Sequence, residues 1–367
     1  MFNRRKFIYH SLFSTAALVT GANACASPKV GTSIPTNKKL GVALVGLGYY
    51  STDILAPALQ LTKHCQLTGI VTGSPEKIPV WQKKYGIPDG NVYNYEMMSN
   101  IANNPAIDVI YIVLPTGMHA EYAIKAANTG KHVWCEKPMA RTAEECQSII
   151  RACEQNKVKL AIGYRMHHEP NTQTIMRYAE QRPYGKIVEL EARAGYFDGR
   201  TDHWKQDKAM GGGAMYDMGV YPLNAVRYAT GQEPIRVIRA SHSTERPSIY
   251  DEVDETTYFE LAFPNGTVAK CETSFGKNMN RLDVRCANGS YYLEPYSAYT
   301  GIGGATSDGT LFNQSIPNQQ ARQMDDDALA ILENRPMLVP GEEGLRDIRI
   351  VEAIYESART GQAVELT

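Results

Sequence analysis

The strongest constraint on this chain is an apolar run that stops at two glycines. Leu40-Gly41-Val42-Ala43-Leu44-Val45 is short and uncharged, and Gly46-Leu47-Gly48 follows it directly. Such a run reads as a strand covered on both faces. Glycines at its end permit a tight turn and a close approach of backbone to a ligand, and the next helix offers its N-terminal amides to a phosphate. A third glycine would complete a dinucleotide fingerprint, and Ser51 stands in its place. Taken alone, the turn reads equally well as an ordinary strand-to-helix connection. The residues further along separate the two readings.

Strand and helix patterns alternate from here. Strands are expected at 65–72, 107–114, 132–135 and 159–163, with helices near 51–62, 76–85, 119–129 and 142–156. Pro57 is expected to bend or break the first helix. This alternation predicts a doubly wound parallel sheet, which binds ligands off the carboxyl ends of its strands. The candidate contacts are therefore Gly46, Leu47, Gly48, Tyr49 and Tyr50 after the first strand, and Thr72, Gly73 and Ser74 after the second. Leu114, Pro115 and Thr116 follow the next, then Glu136, Lys137 and Pro138, and finally Tyr164 and Arg165. Lys137 must leave a buried strand and turn into the cleft. A fixed turn at Lys137–Pro138 is expected there, cis if needed, because only an X-Pro bond adopts cis at low cost. NAD sites usually place an acid at the end of the second strand, to bond the ribose hydroxyls. Here the hydroxyls of Thr72 and Ser74, a loop amide and the Lys77 ammonium suit the 2′-phosphate of NADP, with NAD as the alternative; Glu76 is the opposing charge.

A length of 367 residues exceeds one ordinary core, so two domains are expected, 40–162 and 163–367. The second half changes character. Alternating strands are expected at 187–195, 235–243, 254–263, 267–275 and 281–286, separated by turns such as Pro264-Asn265-Gly266 and Asn288-Gly289. That pattern predicts a large open, mostly antiparallel sheet with one face free for another subunit. The fold class is thus α/β, with a Rossmann domain first and an α+β domain second. Between the first two of these strands, Gly211-Gly212-Gly213 opens a helix whose N-terminus can be approached closely. Asp217 and Tyr221, four apart, share one face of it. A buried tyrosine bonded to a helix carboxylate would look the same, and Pro222 argues against a regular helix.

The formal net charge of −1 argues against nucleic acid or an anionic membrane as partner. The 22 tyrosines, against 8 phenylalanines, suit hydroxyl-rich ligands as well as ordinary half-buried packing. Seven cysteines show neither a Cys-x-x-Cys pair nor zinc spacing, so they read as packing, and no metal site is expected. At the N-terminus, Arg4-Arg5-Lys6, a short apolar stretch from Phe7 to Val19, and Ala22-Asn23-Ala24-Cys25-Ala26 form a basic, an apolar and a small-residue region in turn. This predicts a cleaved leader at 1–26 of the twin-arginine kind, which exports folded proteins to the periplasm, followed by a polar arm at 27–39. Lipidation at Cys25 is the lesser reading, and no segment is apolar and long enough for a stable membrane span.

These residues carry a resemblance to the glucose-fructose oxidoreductase and inositol dehydrogenase family, nearest its glucose-fructose branch. It runs over nearly the whole chain. The leader, Val45–Gly48, Leu114-Pro115, His119-Ala120-Glu121, Cys135–Met139 and Ile162–Arg165 match, as do His167 with Pro170, Gly211–Gly213, Asp217–Tyr221, Arg227-Tyr228 and Gly341–Gly344. Most members carry His where this chain has Tyr221, whereas the glucose-fructose branch carries Tyr. The resemblance implies tightly held NADP between the two domains, with His119, Glu136, Arg165 and Trp204 among the cofactor contacts. It implies that Lys137, Asp217, Tyr221 and Tyr164 face a sugar, with Lys137, Tyr221 and Asp217 catalytic. Oxidising a hydroxyl carbon needs a base, and a tyrosine serves only if a cation such as Lys137 favours its phenolate. Asp217 would orient the tyrosine or a sugar hydroxyl. Two positions depart from the pattern: Lys205 replaces the arginine of a Trp-Arg pair that lies against the cofactor, and Tyr49 replaces a lysine beside the phosphates.

The implied activity is hydride transfer between an aldose and NADP, giving the lactone, with a second sugar recycling the cofactor. A dissociable NAD(P)-dependent sugar dehydrogenase and a redox-assisted glycosidase are the alternatives. A homodimer or homotetramer through the open sheet is expected. Sugar choice falls to loops around 196–208 and 291–312.

Overall fold

A computed structural model describes residues 38–366; the expected leader, Cys25 and most of the arm lie outside them. The first sheet is parallel and has six strands: β1 Leu40–Val45, β2 Cys65–Val71, β3 Val92–Tyr93, β4 Val109–Ile112, β5 His132–Cys135 and β6 Leu160–Ile162. Their spatial order is β3-β2-β1-β4-β5-β6. The order in which the chain adds strands reverses between β1 and β4, and a crevice opens off the carboxyl ends at that switch point. Val42, Ala43, Leu44 and Val45 are fully buried, which is why β1 carries no polar face. The short β3 has no signal in the sequence: two residues are too few to show a period.

The first helix differs from expectation. A wide π-helical turn, Tyr50–Leu55, runs into a single α-turn, Ala56–Leu59, with Pro57 near its start. Proline supplies no N–H to an interior turn, so the helix stays short. Pro138 follows a cis bond from Lys137, and a second cis bond, Glu294–Pro295, was not foreseen.

The second sheet has nine strands: β7 Ile187–Gly195, β8 Arg236–Ser243, β9 Thr256–Ala262, β10 Val268–Ser274, β11 Met279–Cys286, β12 Gly289–Leu293, β13 Gly304–Thr306, β14 Leu311–Phe312 and β15 Val364–Glu365. Their order is β14-β13-β12-β11-β7-β10-β9-β8-β15, and every pairing is antiparallel except β7 with β10. Leu190, Ala192 and Ala194 of β7 face inward, and the residues between them face outward. The outer face carries ion pairs such as Arg285–Glu189 at 2.9 Å and Arg239–Glu260 at 2.6 Å.

Two late helices tie the sheets together. Helix Gln319–Leu332 crosses back onto the first sheet, although the sequence reading placed it in the second domain. Its Ala321, Met324 and Ala328 join the core of Leu44, Leu55, Tyr111 and Trp134. Asp325 Oδ1 accepts from the amides of Lys63 and His64, each at 2.8 Å. Helix Gly341–Thr360 packs against both β6 and β8. Beneath it Arg227 pairs with Asp347 at 2.5 Å and Glu343 at 2.8 Å, and burial pushes the Asp347 carboxyl up to about 6 despite Arg227. The six cysteines among the described residues are buried free thiols. No helix among the described residues is long and apolar enough to cross a membrane.

Candidate active site

The crevice begins at the glycine turn. Gly46 has φ +91°, and a Cβ there would stand 2.4 Å from the Val113 carbonyl, so the approach of the β4 end demands glycine. At the expected third-glycine position, the buried Ser51 hydroxyl donates to the Gly46 carbonyl at 2.5 Å and closes the turn. Gly48 is open where a Cβ would point. From Gly48 a cavity of about 340 Å³ extends outward past Leu47, Tyr49, Glu76, Lys77 and Val80. Lys77 Nζ spans it, donating to the Leu47 carbonyl at 2.9 Å. An open glycine turn beneath one ammonium fits the phosphates of a dinucleotide.

The other end of the crevice is built from β5 and the helix after Gly213. Lys137 Nζ donates to the Asp217 carbonyl at 2.7 Å and lies 3.5 Å from its Oδ1. It also lies over the Tyr221 ring, 4.8 Å from the centroid. Arg165 covers the same ring at 5.4 Å and the Tyr299 ring at 4.8 Å. Its guanidinium donates to Gln319 Oε1 at 2.9 Å and to the Ser297 carbonyl. Glu136 is buried behind Lys137, accepts from the Tyr111 hydroxyl at 2.6 Å, and fills the space that a side chain at position 163 would take. Asp217 sits in a wide π-helical turn, Met215–Gly219, that narrows into the α-helix Val220–Thr230 just before Pro222.

Charge is unevenly shared here. Burial raises the Glu136 carboxyl, and Tyr111 and Lys137 only partly offset it. Burial alone would also raise Asp217, but the ammoniums of Lys205 and Lys137 outweigh it and hold the carboxyl well below the usual range. Burial alone would lower Lys137; Tyr221, Asp217 and Glu136 outweigh it, and the ammonium is held above its ordinary value. Lys137 is therefore a cation, and its charge faces a tyrosine ring at the mouth of the crevice.

The structure brings Lys137, Asp217, Tyr221, Glu136 and Arg165 together, and it turns other candidates away. His119 is buried, and both ring nitrogens lie within 2.9 Å of the Pro138 and Leu114 carbonyls, so it joins two loops rather than touching a cofactor. Tyr164 is buried away from the crevice, beside Asp347. Thr72 is buried, and its hydroxyl accepts from the Ser74 amide at 3.0 Å, so Lys77 faces the cavity and Thr72 does not. Gly73 packs against the Tyr95 ring. Thr116, also buried, packs where a Cβ of Gly211 would stand. Tyr49 points outward, 68% exposed, while Tyr50 turns inward to lie 6.1 Å from the Tyr299 ring. Leu114 and Pro115 are half-buried at the rim, and half-buried Trp204 packs near Lys205.

Two expectations change here, one about Asp217 and one about the glycine run before it. Asp217 does not orient Tyr221; its Oδ2 accepts from Lys205 Nζ at 2.6 Å and from the Tyr196 hydroxyl at 3.2 Å. Nor do the three glycines open a way for a ligand. A Cβ at Gly212 would stand 2.4 Å from the Lys205 carbonyl, and one at Gly213 (φ +108°) 2.3 Å from Asp254 Oδ1. The chain itself makes the close approach.

Residues that sequence reasoning missed are Tyr196, Tyr299, Tyr111 and the buried glutamines Gln319, Gln320 and Gln323. Gln320 approaches the Tyr50 hydroxyl at 3.5 Å and Gln323 the Tyr111 hydroxyl at 3.4 Å. Apolar-position gaps in the first turns of a helix were the available signal, since buried glutamines imply polar partners.

Comparison with known proteins agrees with this geometry. The model of an oxidoreductase family with an NAD-binding Rossmann fold matches residues 40–164, and that of the GFO/IDH/MocA C-terminal domain matches residues 172–292. The chain is 27% identical to D-xylose 1-dehydrogenase [NADP(+)] of Haloarcula marismortui, over 90% of this chain and 94% of that protein. It is 26% identical to D-glucoside 3-dehydrogenase of Escherichia coli, over 91% and 99% respectively. The crystal structure of aldose-aldose oxidoreductase from Caulobacter crescentus, complexed with glycerol, superposes with a TM-score of 0.86 at 36% identity, covering 90% of this chain and all of that one. Matched by both domain models and 36% identical to that aldose-aldose oxidoreductase over 90% of its length, the chain is an NAD(P)-dependent oxidoreductase of the GFO/IDH/MocA family.

Proposed function

We propose that this protein oxidises a hydroxyl-bearing carbon of an aldose to the lactone with NADP, and that a second sugar takes the hydride back. The observation that carries the reading is the Lys137 ammonium in contact with both Asp217 and the Tyr221 ring at the mouth of the crevice. The similarity to an NADP-dependent xylose dehydrogenase and to an aldose-aldose oxidoreductase supports it. A bound nicotinamide dinucleotide supplies the hydride acceptor. The protein supplies the rest. Tyr221 takes the hydroxyl proton as hydride leaves the carbon, and Lys137 and Arg165 stabilise its phenolate. In the return step Tyr221 gives that proton to the carbonyl oxygen of the second sugar. Lys77, at the far end, favours the 2′-phosphate, and the absence of an acid at Thr72 removes the usual grip on a free ribose hydroxyl. The basic leader supports export to the periplasm in the folded state, and the charged outer face of the second sheet suits pairing with another copy.

One observation favours a second reading, a dehydrogenase that releases its nucleotide. The adenosine end is an open cavity with an exposed Tyr49 and a single bridging ammonium. The absorbance spectrum of protein purified without added nucleotide separates the two. Retained nicotinamide, with aldose oxidation coupled to reduction of a second sugar, supports recycling. No retained nucleotide, with turnover that needs added NADP, supports the dehydrogenase. Failure to oxidise any aldose under either condition rejects both.

A further inference from the structure

Asp217 is shared by two lysines. Lys137 reaches Oδ1 from one side, and Lys205 donates to Oδ2 at 2.6 Å from the other. Lys205 also donates to the Tyr196 hydroxyl at 3.1 Å, and that hydroxyl donates on to Asp217. The turn bearing Lys205 is built with care. His203 and Gln206 cap it reciprocally. Gly213 N donates to the Lys205 carbonyl at 2.8 Å, and Gly212 leaves it room. The glycine run thus serves to lock Lys205 against the start of the Asp217 helix.

One carboxylate cannot neutralise two ammoniums. The charged groups facing this cluster come from every element around it. Glu136 and Arg165 lie at the strand ends, and Tyr221 and Tyr299 on the other wall. Beyond Lys205, Arg200 is paired with Asp198 at 2.5 Å, and His203 stands beside Arg200 at 3.0 Å. An excess of positive charge remains around Lys137. We propose that Lys205 is a positioning residue of the reaction: it occupies one oxygen of Asp217, so that the carboxylate does not fully claim Lys137 and the positive field stays directed at Tyr221 and the substrate oxygen. This rests on the functional reading above, in which a proton leaves a sugar hydroxyl.

The sign follows from charge. Removing a nearby cation disfavours both a phenolate at Tyr221 and a neutral lysine at position 137. Whichever group accepts the proton, the ascending limb of kcat/KM for aldose oxidation moves to higher pH. The experiment compares the full-length parent with Lys205→Met, Lys205→Gln and Lys205→Arg, measuring the pH dependence of kcat/KM and the affinity for NADP. Expected for Met and Gln is a limb about one unit higher and turnover at neutral pH about tenfold lower, with NADP affinity unchanged. Arg restores the limb. A limb that stays put in Met or Gln while only stability or KM changes overturns the proposal, as does an Arg variant that behaves like Met. Gln keeps the test open should Met fail to fold. A parent that oxidises no aldose rejects the functional reading instead, before any variant is made.

Discussion

The two ends of the crevice are built on opposite principles. At the β5 end the charged groups are already matched to partners: Lys137, Lys205 and Tyr196 to Asp217, Glu136 to Tyr111, and Arg165 to Gln319 and two tyrosine rings. At the β2 end one ammonium bridges an open cavity, and the neighbouring Tyr49 faces solvent. The difference follows from what each end must do. A proton-transfer site keeps its geometry only if its side chains are held when no substrate is present. A site for a phosphate-bearing nucleotide can rely on backbone amides and a single charge, because the ligand brings its own acceptors. The same contrast decides which substitutions are tolerated.

The largest expected effect tests the closed end. Tyr221→Phe should lower turnover about a hundredfold or more, the usual scale for a general acid or base, while the NADP affinity stays near that of the parent. Steady-state rates with the best aldose substrate and a direct nucleotide titration check it; full activity in the variant would remove Tyr221 from the mechanism. The next test asks whether the closed end is also a structural knot. Asp217→Asn leaves two ammoniums facing a neutral amide in a site where each side chain is less than a fifth exposed, and it should cost about 2 kcal/mol of stability. Glu76→Gln, at the open end, should leave the melting temperature unchanged. Equal melting shifts for the two variants would erase the contrast. The smallest effect tests the open end. Lys77→Met should weaken NADP by about fivefold and leave NAD nearly unaffected, since one charge at a wet site is worth about 1 kcal/mol. Competition binding of both nucleotides measures it. An equal loss for both would mean that Lys77 only holds the Leu47 carbonyl.

Much of the first domain was legible because its signals are local. A continuous apolar run between turn residues reports a strand buried on both faces, and four of the six parallel strands carry one. The second sheet was read less completely. Strands β12 to β15 are short and partly polar, and the parallel pairing of β7 with β10 joins segments that are far apart in the chain. Within the site, residues on strand ends were found by position. Their directions were not. Thr72, Tyr164 and His119 stand where ligand contacts belong, yet each side chain turns into the protein.

By itself, the sequence determined the parallel sheet, the crevice at its switch point and Lys137 at a strand end beside it, because periodicity and turn chemistry act over a few residues; that Asp217 and Tyr221 face the same crevice was implied only by the family resemblance. Only the tertiary structure decided what Asp217 holds. Lys205 and Tyr196 come from the ends of separate segments, and helix Gln319–Leu332 returns from the far side of the second sheet to present Gln319 to Arg165. No local pattern encodes such a meeting. It results from packing two sheets against shared helices, after which each buried polar group must find a partner among the neighbours that the packing supplies.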